Sequence, residues 1–257
     1  MVKSNPYFSI VIPSLDEEQT LPVLLSDLVD QAWTDFEVIH VDGNSDDRTV
    51  ELSKKFLKKL DLKIINEPVR NVSTQRNRGG DMARGQWILF MDADNQLNTD
   101  FLLALRYKIS NLEKKHQPID AFSTLISLNN IDKKKSKHII SASLINSYLT
   151  STSSTSRPNS FGALQGIKRS VFEKNHYDPK IRFAEDNEIM YRIIKNGGVF
   201  RLFTSPRYKY DMRRWDDSPM AKTIVEALKL QVQIAAKRNN KAKYDMKGGK
   251  PYKQKKS

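Results

Sequence analysis

The sequence predicts an α/β fold with a mostly parallel central sheet and helices on both faces, and two observations carry that prediction. Short apolar runs rich in β-branched residues recur along the first hundred positions. Between them lie segments whose apolar residues return at helical spacing. Parallel neighbours need a crossover connection, and a crossover helix buries its apolar stripe on the sheet, so this alternation implies parallel strands.

The strand segments are Phe8 to Ile12, Phe36 to Val41, Leu62 to Ile65 and Trp87 to Met91. The intervening helices run from about Thr20 to Asp30, Arg48 to Leu60 and Ser73 to Arg84; Leu21, Leu24, Leu25 and Leu28 show the spacing. After Asn98 the pattern predicts a helix over Phe101 to Leu112 and a strand over Ala121 to Leu128. The stretch Ser141 to Ser160 is rich in Ser and Thr and is expected to include a mobile loop. Strands at Gly162 to Ile167 and Val199 to Phe203 flank a helix from Glu185 to Lys195. No internal repeat is visible. The chain reads as one domain of two halves, 1–98 and 99–218, followed by 219–257.

With 257 residues there is enough chain for one substantial core. Hydrophobic residues make up 39% and charged residues 28%, an ordinary globular balance, and no run approaches the ~20 apolar residues that span a bilayer. The start of the chain lacks a signal-peptide core, so a cytoplasmic location is expected. Zero cysteines exclude disulfides, thiolate metal sites and cysteine nucleophiles. The formal charge of +13 suggests nucleic acid or an anionic surface, but nine Lys or Arg against the single acid Asp245 put +8 of it after Ala236. The body is only mildly basic.

No glycine precedes Gly43, so neither a dinucleotide fingerprint nor a phosphate-binding glycine loop follows the first strand. A bound diphosphate would then be neutralised by a metal and by basic side chains. Asp92-Ala93-Asp94 directly follows the apolar strand Trp87 to Met91. In an extended chain residues i and i+2 point the same way, so both carboxylates can face one ion, and Mg²⁺ or Mn²⁺ suits such oxygen ligands. A solvated turn is the bland alternative. Asp42 tips the second strand, where a carboxylate can accept hydrogen bonds from a base or ribose; Asp46 or Asp47 is expected to cap the next helix, and His40 to be a satisfied core histidine. Glu185-Asp186 opens a helix, which is commonly capping and dipole complementarity but also suits a general base. Arg213, Arg214 and Trp215, with Arg201 and Arg207 upstream, form either a phosphate-closing cluster or a surface cluster with a buried indole.

The order Phe8-Ser9-Ile10-Val11-Ile12-Pro13, Glu17, Val41-Asp42-Gly43, Arg76-Asn77-Arg78-Gly79, Ala83-Arg84-Gly85 and Asp92-Ala93-Asp94 resembles the nucleotide-binding half of family 2 glycosyltransferases. Gly162-Ala163-Leu164-Gln165-Gly166-Ile167-Lys168-Arg169 and Phe183-Ala184-Glu185-Asp186-Asn187-Glu188 resemble the acceptor-side motifs of that family, so the likeness spans about Phe8 to Trp215. The resemblance implies a GT-A, Rossmann-like fold and a nucleoside-diphosphate sugar donor. It implies that Pro13, Glu17 and Asp42 line the nucleoside pocket, that Arg76 reaches the base or phosphates, that Asp92 and Asp94 hold the metal, and that Asp186 is the general base of an inverting transfer. Two departures stand out: Gly43 where many members have a second Asp, and Asn175-His176-Tyr177-Asp178 where many have Gly-Gly-Phe-Asp.

The rival readings are a nucleotidyltransferase, which lacks its glycine-rich loop here, and a non-catalytic nucleic-acid-binding protein, which the basic tail motivates. The acceptor is unnamed by the sequence; a lipid-linked molecule or a polysaccharide precursor fits the class. Met220, Ile224, Leu228, Val232 and Ala235 predict an amphipathic helix. It either packs on the domain, leaving a solvated tail, or holds the protein against an anionic membrane surface.

Overall fold

The computed structural model describes residues 5–127, 136–181 and 184–211. The predicted helix and basic tail after position 218, Arg213, Arg214 and Trp215, and Leu128 at the end of one predicted strand lie outside the described residues.

The elements follow in the order β1 (Phe8–Ser14), α1 (Leu21–Val29), β2 (Phe36–Asp42), α2 (Thr49–Lys54), β3 (Leu62–Asn66), α3 (Val72–Asp81), β4 (Trp87–Met91), β5 (Asn95–Gln96) and α4 (Phe101–Lys114). Then come β6 (Ala121–Ile126), α5 (Ser136–Thr152), β7 (Leu164–Lys168), α6 (Arg169–Phe172), α7 (Glu185–Lys195) and β8 (Phe200–Tyr210). The eight strands lie in the order β3-β2-β1-β4-β7-β6-β8-β5. β1 pairs in parallel with β2 and β4, β2 with β3, and β6 with β8, while β7 runs antiparallel between β4 and β6. The order turns back between β1 and β4, where open α/β sheets bind ligands at their carboxyl ends.

Alternate residues of each strand feed two cores, as the two-residue strand period requires. Ile10, Ile12, Leu89 and Met91 join Leu21, Leu24 and Leu25 of α1 and Leu102, Leu105 and Ile109 of α4 on one face. Val11, Ile39, Val41, Ile88 and Phe90 join Phe172 of α6 and Ile189, Met190 and Ile193 of α7 on the other. Helix α3 begins with the Asn71 side chain accepting from Thr74 N at 3.0 Å. It lies very close to the sheet, where a Cβ at Gly79 would stand 2.4 Å from Val11, and to α6, where one at Gly80 would stand 2.3 Å from Phe172.

One expectation needs correction and a second is narrowed. Helix α2 stops at Lys54, because Lys55, Phe56 and Leu57 donate to carbonyls three residues back and the chain tightens into turns. The Ser/Thr-rich stretch expected to include a mobile loop is irregular only over 153–160 and helical up to Thr152. Its hydroxyls fold back on the helix, Thr150 Oγ1 donating to Asn146 O at 2.8 Å and Thr152 Oγ1 to Tyr148 O at 3.1 Å. The helix is also clasped to the sheet: the Asn146 amide accepts from Ile126 N and donates to Ile126 O, each at 2.9 Å.

Candidate active site

At the tips of β1 and β2 the chain ties its own loops together. Asp42 is 3% exposed, and its carboxylate accepts from Ser45 N at 2.9 Å and Ser45 Oγ at 2.6 Å. Asp16 N donates to Ser45 Oγ at 3.0 Å, Asp46 N to Asp16 Oδ1 at 2.8 Å, and Glu17 N to Thr49 Oγ1 at 2.8 Å. Asp16 and Asn44 turn these loops through the left-handed region, which their short polar side chains tolerate. Pro13 pairs with Val41 in the ladder, and buried Glu17 accepts from Thr20 Oγ1 at 2.5 Å. Asp47, as expected, accepts from Thr49 N at the start of α2, whereas Asp46 pairs with Arg70 at 2.7 Å.

His40 is the core histidine the sequence suggests, bonded through Nε2 to Ser14 Oγ and through Nδ1 to Ser53 Oγ. Burial lowers its pKa to about 4, so it is neutral at ordinary pH. The Gly43 departure has a local cause: Gln75 Nε2 donates to the Ser14 and Val41 carbonyls, and a Cβ at 43 would lie 2.6 Å from that nitrogen.

After β4 the chain does not stay extended. Asn95 N donates to Asp92 O, closing a turn over Asp92 to Asn95, so the two-residue alternation of a strand does not aim Asp92 and Asp94. Asp94 instead lines a hollow with Gln19, Thr20, Asn95, Gln96 and Asp211. Among the described residues no group of three or more His, Cys, Asp or Glu side chains is placed to hold an ion. Asp94, in that hollow, offers oxygen ligands of the kind taken by Mg²⁺ or Mn²⁺, which typically keeps one or two carboxylates and fills its octahedron with water and substrate phosphate oxygens.

Helix α7 starts with three acids in its first turn, Glu185, Asp186 and Glu188, which suits the positive end of the helix. Ala184 precedes them with φ 56°, a costly conformation for a residue with a Cβ. Arg76 of α3 joins this end to the β4 turn. Its Nη1 donates to Glu185 Oε1 at 2.8 Å, and its Nη2 donates to Asp92 Oδ1 at 3.0 Å and Gly162 O at 3.1 Å. Expected to reach the donor base or phosphates, the Arg76 side chain is here 3% exposed and its terminal nitrogens donate to Glu185, Asp92 and Gly162.

Asp186 stands in this charged junction. Burial and the neighbouring Glu185 push its pKa up to about 7, against the pull of Arg76 and of the Asn187 and Gly162 backbone N–H groups. Gly162 leaves room for the pair, since a Cβ there would meet Asp186 Oδ2 at 3.2 Å and Arg76 Nη2 at 3.3 Å. Buried Tyr208 of β8 has its phenol held well above its ordinary pKa by burial and by Asp92, Asp94 and Asp186, so it senses all three acids. Tyr148 of α5, raised to about 12 by burial and by Asp186, borders the same carboxylate.

Of the residues singled out in the sequence, Arg76, Asp92, Glu185 and Asp186 converge; Pro13 and Asp42 sit at the neighbouring strand tips, with Glu17 on the loop beyond β1. Arg201 and Arg207 instead donate to the Pro118 and Thr204 carbonyls. Sequence reasoning missed a buried relay in which Tyr177 OH donates to Gln165 Oε1 (2.7 Å), while Gln165 Nε2 donates to Ser160 Oγ (2.7 Å) and Asp186 O (3.0 Å). Its signal was Gln165, a polar side chain inside an apolar strand, which demands buried partners.

A mostly parallel α/β sheet with acids gathered at its carboxyl edge defines the class of open α/β folds that bind ligands at that edge. The chain belongs to glycosyl transferase family 2, whose family model matches residues 9–175. A PGL/p-HBAD biosynthesis glycosyltransferase of Mycobacterium bovis is 35% identical over 117 residues, covering 45% of this chain and 44% of that protein. The chain thus spans under half the length of such curated relatives. Among solved structures, S. aureus TarS in complex with UDP aligns with TM-score 0.61 at 21% identity, covering 79% of this chain and 60% of the other. Glucosyl-3-phosphoglycerate synthase from Mycobacterium tuberculosis, in complex with Mn²⁺, UDP and glucosyl-3-phosphoglycerate, aligns with TM-score 0.61 at 12% identity over 93% and 83% of the two chains. The fold is GT-A.

Proposed function

We propose that this glycosyltransferase moves a sugar from a nucleoside diphosphate to an acceptor hydroxyl with inversion at the anomeric carbon. The observation that carries the reading is the junction at Arg76, where the Asp92 turn and the Glu185-Asp186 helix start meet. Pro13, Glu17 and Asp42 border the nucleoside. Asp94, with Asp92, would hold a divalent ion, which supplies positive charge to the departing diphosphate when bound. The solved structure with Mn²⁺ and UDP supports this reading.

Asp186 takes the proton of the acceptor hydroxyl, as a carboxylate with a pKa of about 7 is suited to do near neutral pH. The acceptor oxygen attacks the anomeric carbon from the face opposite the diphosphate. The bond to the phosphate oxygen breaks, and its electron pair leaves with the nucleoside diphosphate. Arg213, Arg214 and Trp215 are proposed to close over the diphosphate. The acceptor class, a lipid-linked molecule or a polysaccharide precursor, is proposed alongside a cytoplasmic site of action at an anionic membrane surface. Among the described residues no helix is long and apolar enough to cross a membrane.

Thermal-shift screening with UDP, GDP and their sugar conjugates, with and without Mn²⁺, tests the donor. A ligand that binds only the folded state raises the melting temperature, so a rise that requires Mn²⁺ is expected. No shift with any nucleotide would remove the donor reading.

A further inference from the structure

We infer that Arg76 is a positioning residue that ties the two ends of the site into one unit, an inference that rests on the reaction proposed above. Arg76 fixes Asp92 at the donor end and Glu185 at the start of α7, and thereby sets where Asp186 stands, touching neither substrate.

The geometry is that of a strut. The guanidinium is a planar fork, and this one spreads across three acceptors from three separate stretches of chain: Glu185 Oε1, Asp92 Oδ1 and Gly162 O. Its Cζ lies 5.4 Å from the centre of the Tyr177 ring, which fixes the plane of the fork. Nε is buried without a hydrogen-bond partner, and with the side chain 3% exposed the fork is turned into the protein. The same Tyr177 reaches Asp186 by a second route, through Gln165 to the Asp186 carbonyl. Asp186 is therefore held on its backbone by the Tyr177 relay and through Glu185 by Arg76.

This arrangement divides the labour between two adjacent acids. Glu185 spends its carboxylate on Arg76 and acts as the anchor, while Asp186 is left to carry the proton. Lysine cannot replace the strut, because one ammonium lacks the planar reach to span both carboxylates and a carbonyl. Losing the arginine leaves Asp92 and Glu185 as partly buried acids without the cation that joins them.

Hydrogen exchange on the full chain tests the strut without any substrate. Arg76→Lys, which keeps the charge and the fold, and Arg76→Gln are each compared with wild type by mass spectrometry. Peptides covering 89–96 and 185–192 are expected to exchange about tenfold faster together, while those covering 36–42 stay unchanged. Faster exchange confined to 72–81 would overturn the inference.

Kinetics supply a readout that a merely structural role would not move. With the nucleotide sugar found by screening, Glu185→Gln should lower kcat about tenfold with donor KM held within about twofold, and adding it to Arg76→Lys should cost nothing further. Multiplicative losses in the double variant, or a rise in donor KM for Arg76→Lys with kcat unchanged, would make Arg76 a donor contact instead. Should no nucleotide sugar bind, the proposed reaction fails, and the exchange experiment still decides the strut.

Discussion

Asp42 at the tip of β2 and Asp186 at the start of α7 are both carboxylates tucked against the sheet, yet they are held by different means. Asp42 sits in a cradle of neutral donors, Ser45 N and Oγ, inside loops that bond to one another. Asp186 sits among charges, beside Glu185 and within the field of Arg76, after a residue in a costly backbone conformation. A nucleoside pocket needs a fixed shape, which hydrogen bonds between loops provide. A proton acceptor needs an adjustable affinity, which opposed charges provide.

The sharpest way to break this contrast is to remove the proposed proton acceptor and keep its shape. Asp186→Asn is expected to lower transfer by about 10²–10⁴-fold, with donor affinity retained; turnover near wild type would move the role elsewhere. Steady-state rates should rise with pH through about 7 as Asp186 ionises. Stability should run the other way. The folded value exceeds the unfolded one, so the folded protein keeps a proton that the unfolded chain has lost between about pH 4 and 7, and stability falls as pH rises through that window. Asp186→Asn should therefore melt several degrees higher than wild type at pH 8, with the gap closing toward pH 4.

At the donor end, Asp94→Ala should abolish Mn²⁺-dependent nucleotide binding in calorimetry while leaving the far-UV circular dichroism unchanged. Nucleotide affinity equal to wild type would take Asp94 out of the site. Effects on stability alone come next. Asn146→Ala strips the clasp between α5 and Ile126, leaves a buried backbone donor and acceptor unmatched, and should cost about 2 kcal/mol in urea unfolding. The smallest change should be a gain: Ala184→Gly relieves the left-handed strain before α7 and should add about 1 kcal/mol in the same assay. A loss there would mean that α7 is not held under strain.

The two ends also differed in how far the sequence disclosed them. β1 to β4 and their helices could be placed because a buried parallel strand is a continuous apolar run and a crossover helix shows its stripe. Asp42, Asp92 and Asp94 were visible as acids ending those runs. The acceptor end was harder to read. The stretch that forms α5 carried no helical signal because Ser and Thr are poor helix formers, and its clasp on Ile126 and the hydroxyls bonded to its own carbonyls help hold it. Arg76 was noticed but its pairing with Glu185 was not, because which acids lie beside α3 depends on how Glu185 returns to it after a hundred residues of chain.

The glycine pair in α3 gives this last point a mechanical meaning. Gly79 and Gly80 let the helix axis ride unusually low over Val11, Val41 and Phe172, and Arg76 projects from the turn before them. Helix height thus acts as a spacer of fixed thickness, and a single added methyl would work as a shim. Raised by that much, an arginine of constant length would fall short of Glu185 and Asp92, and the site would be detuned from the back with every one of its charges still present.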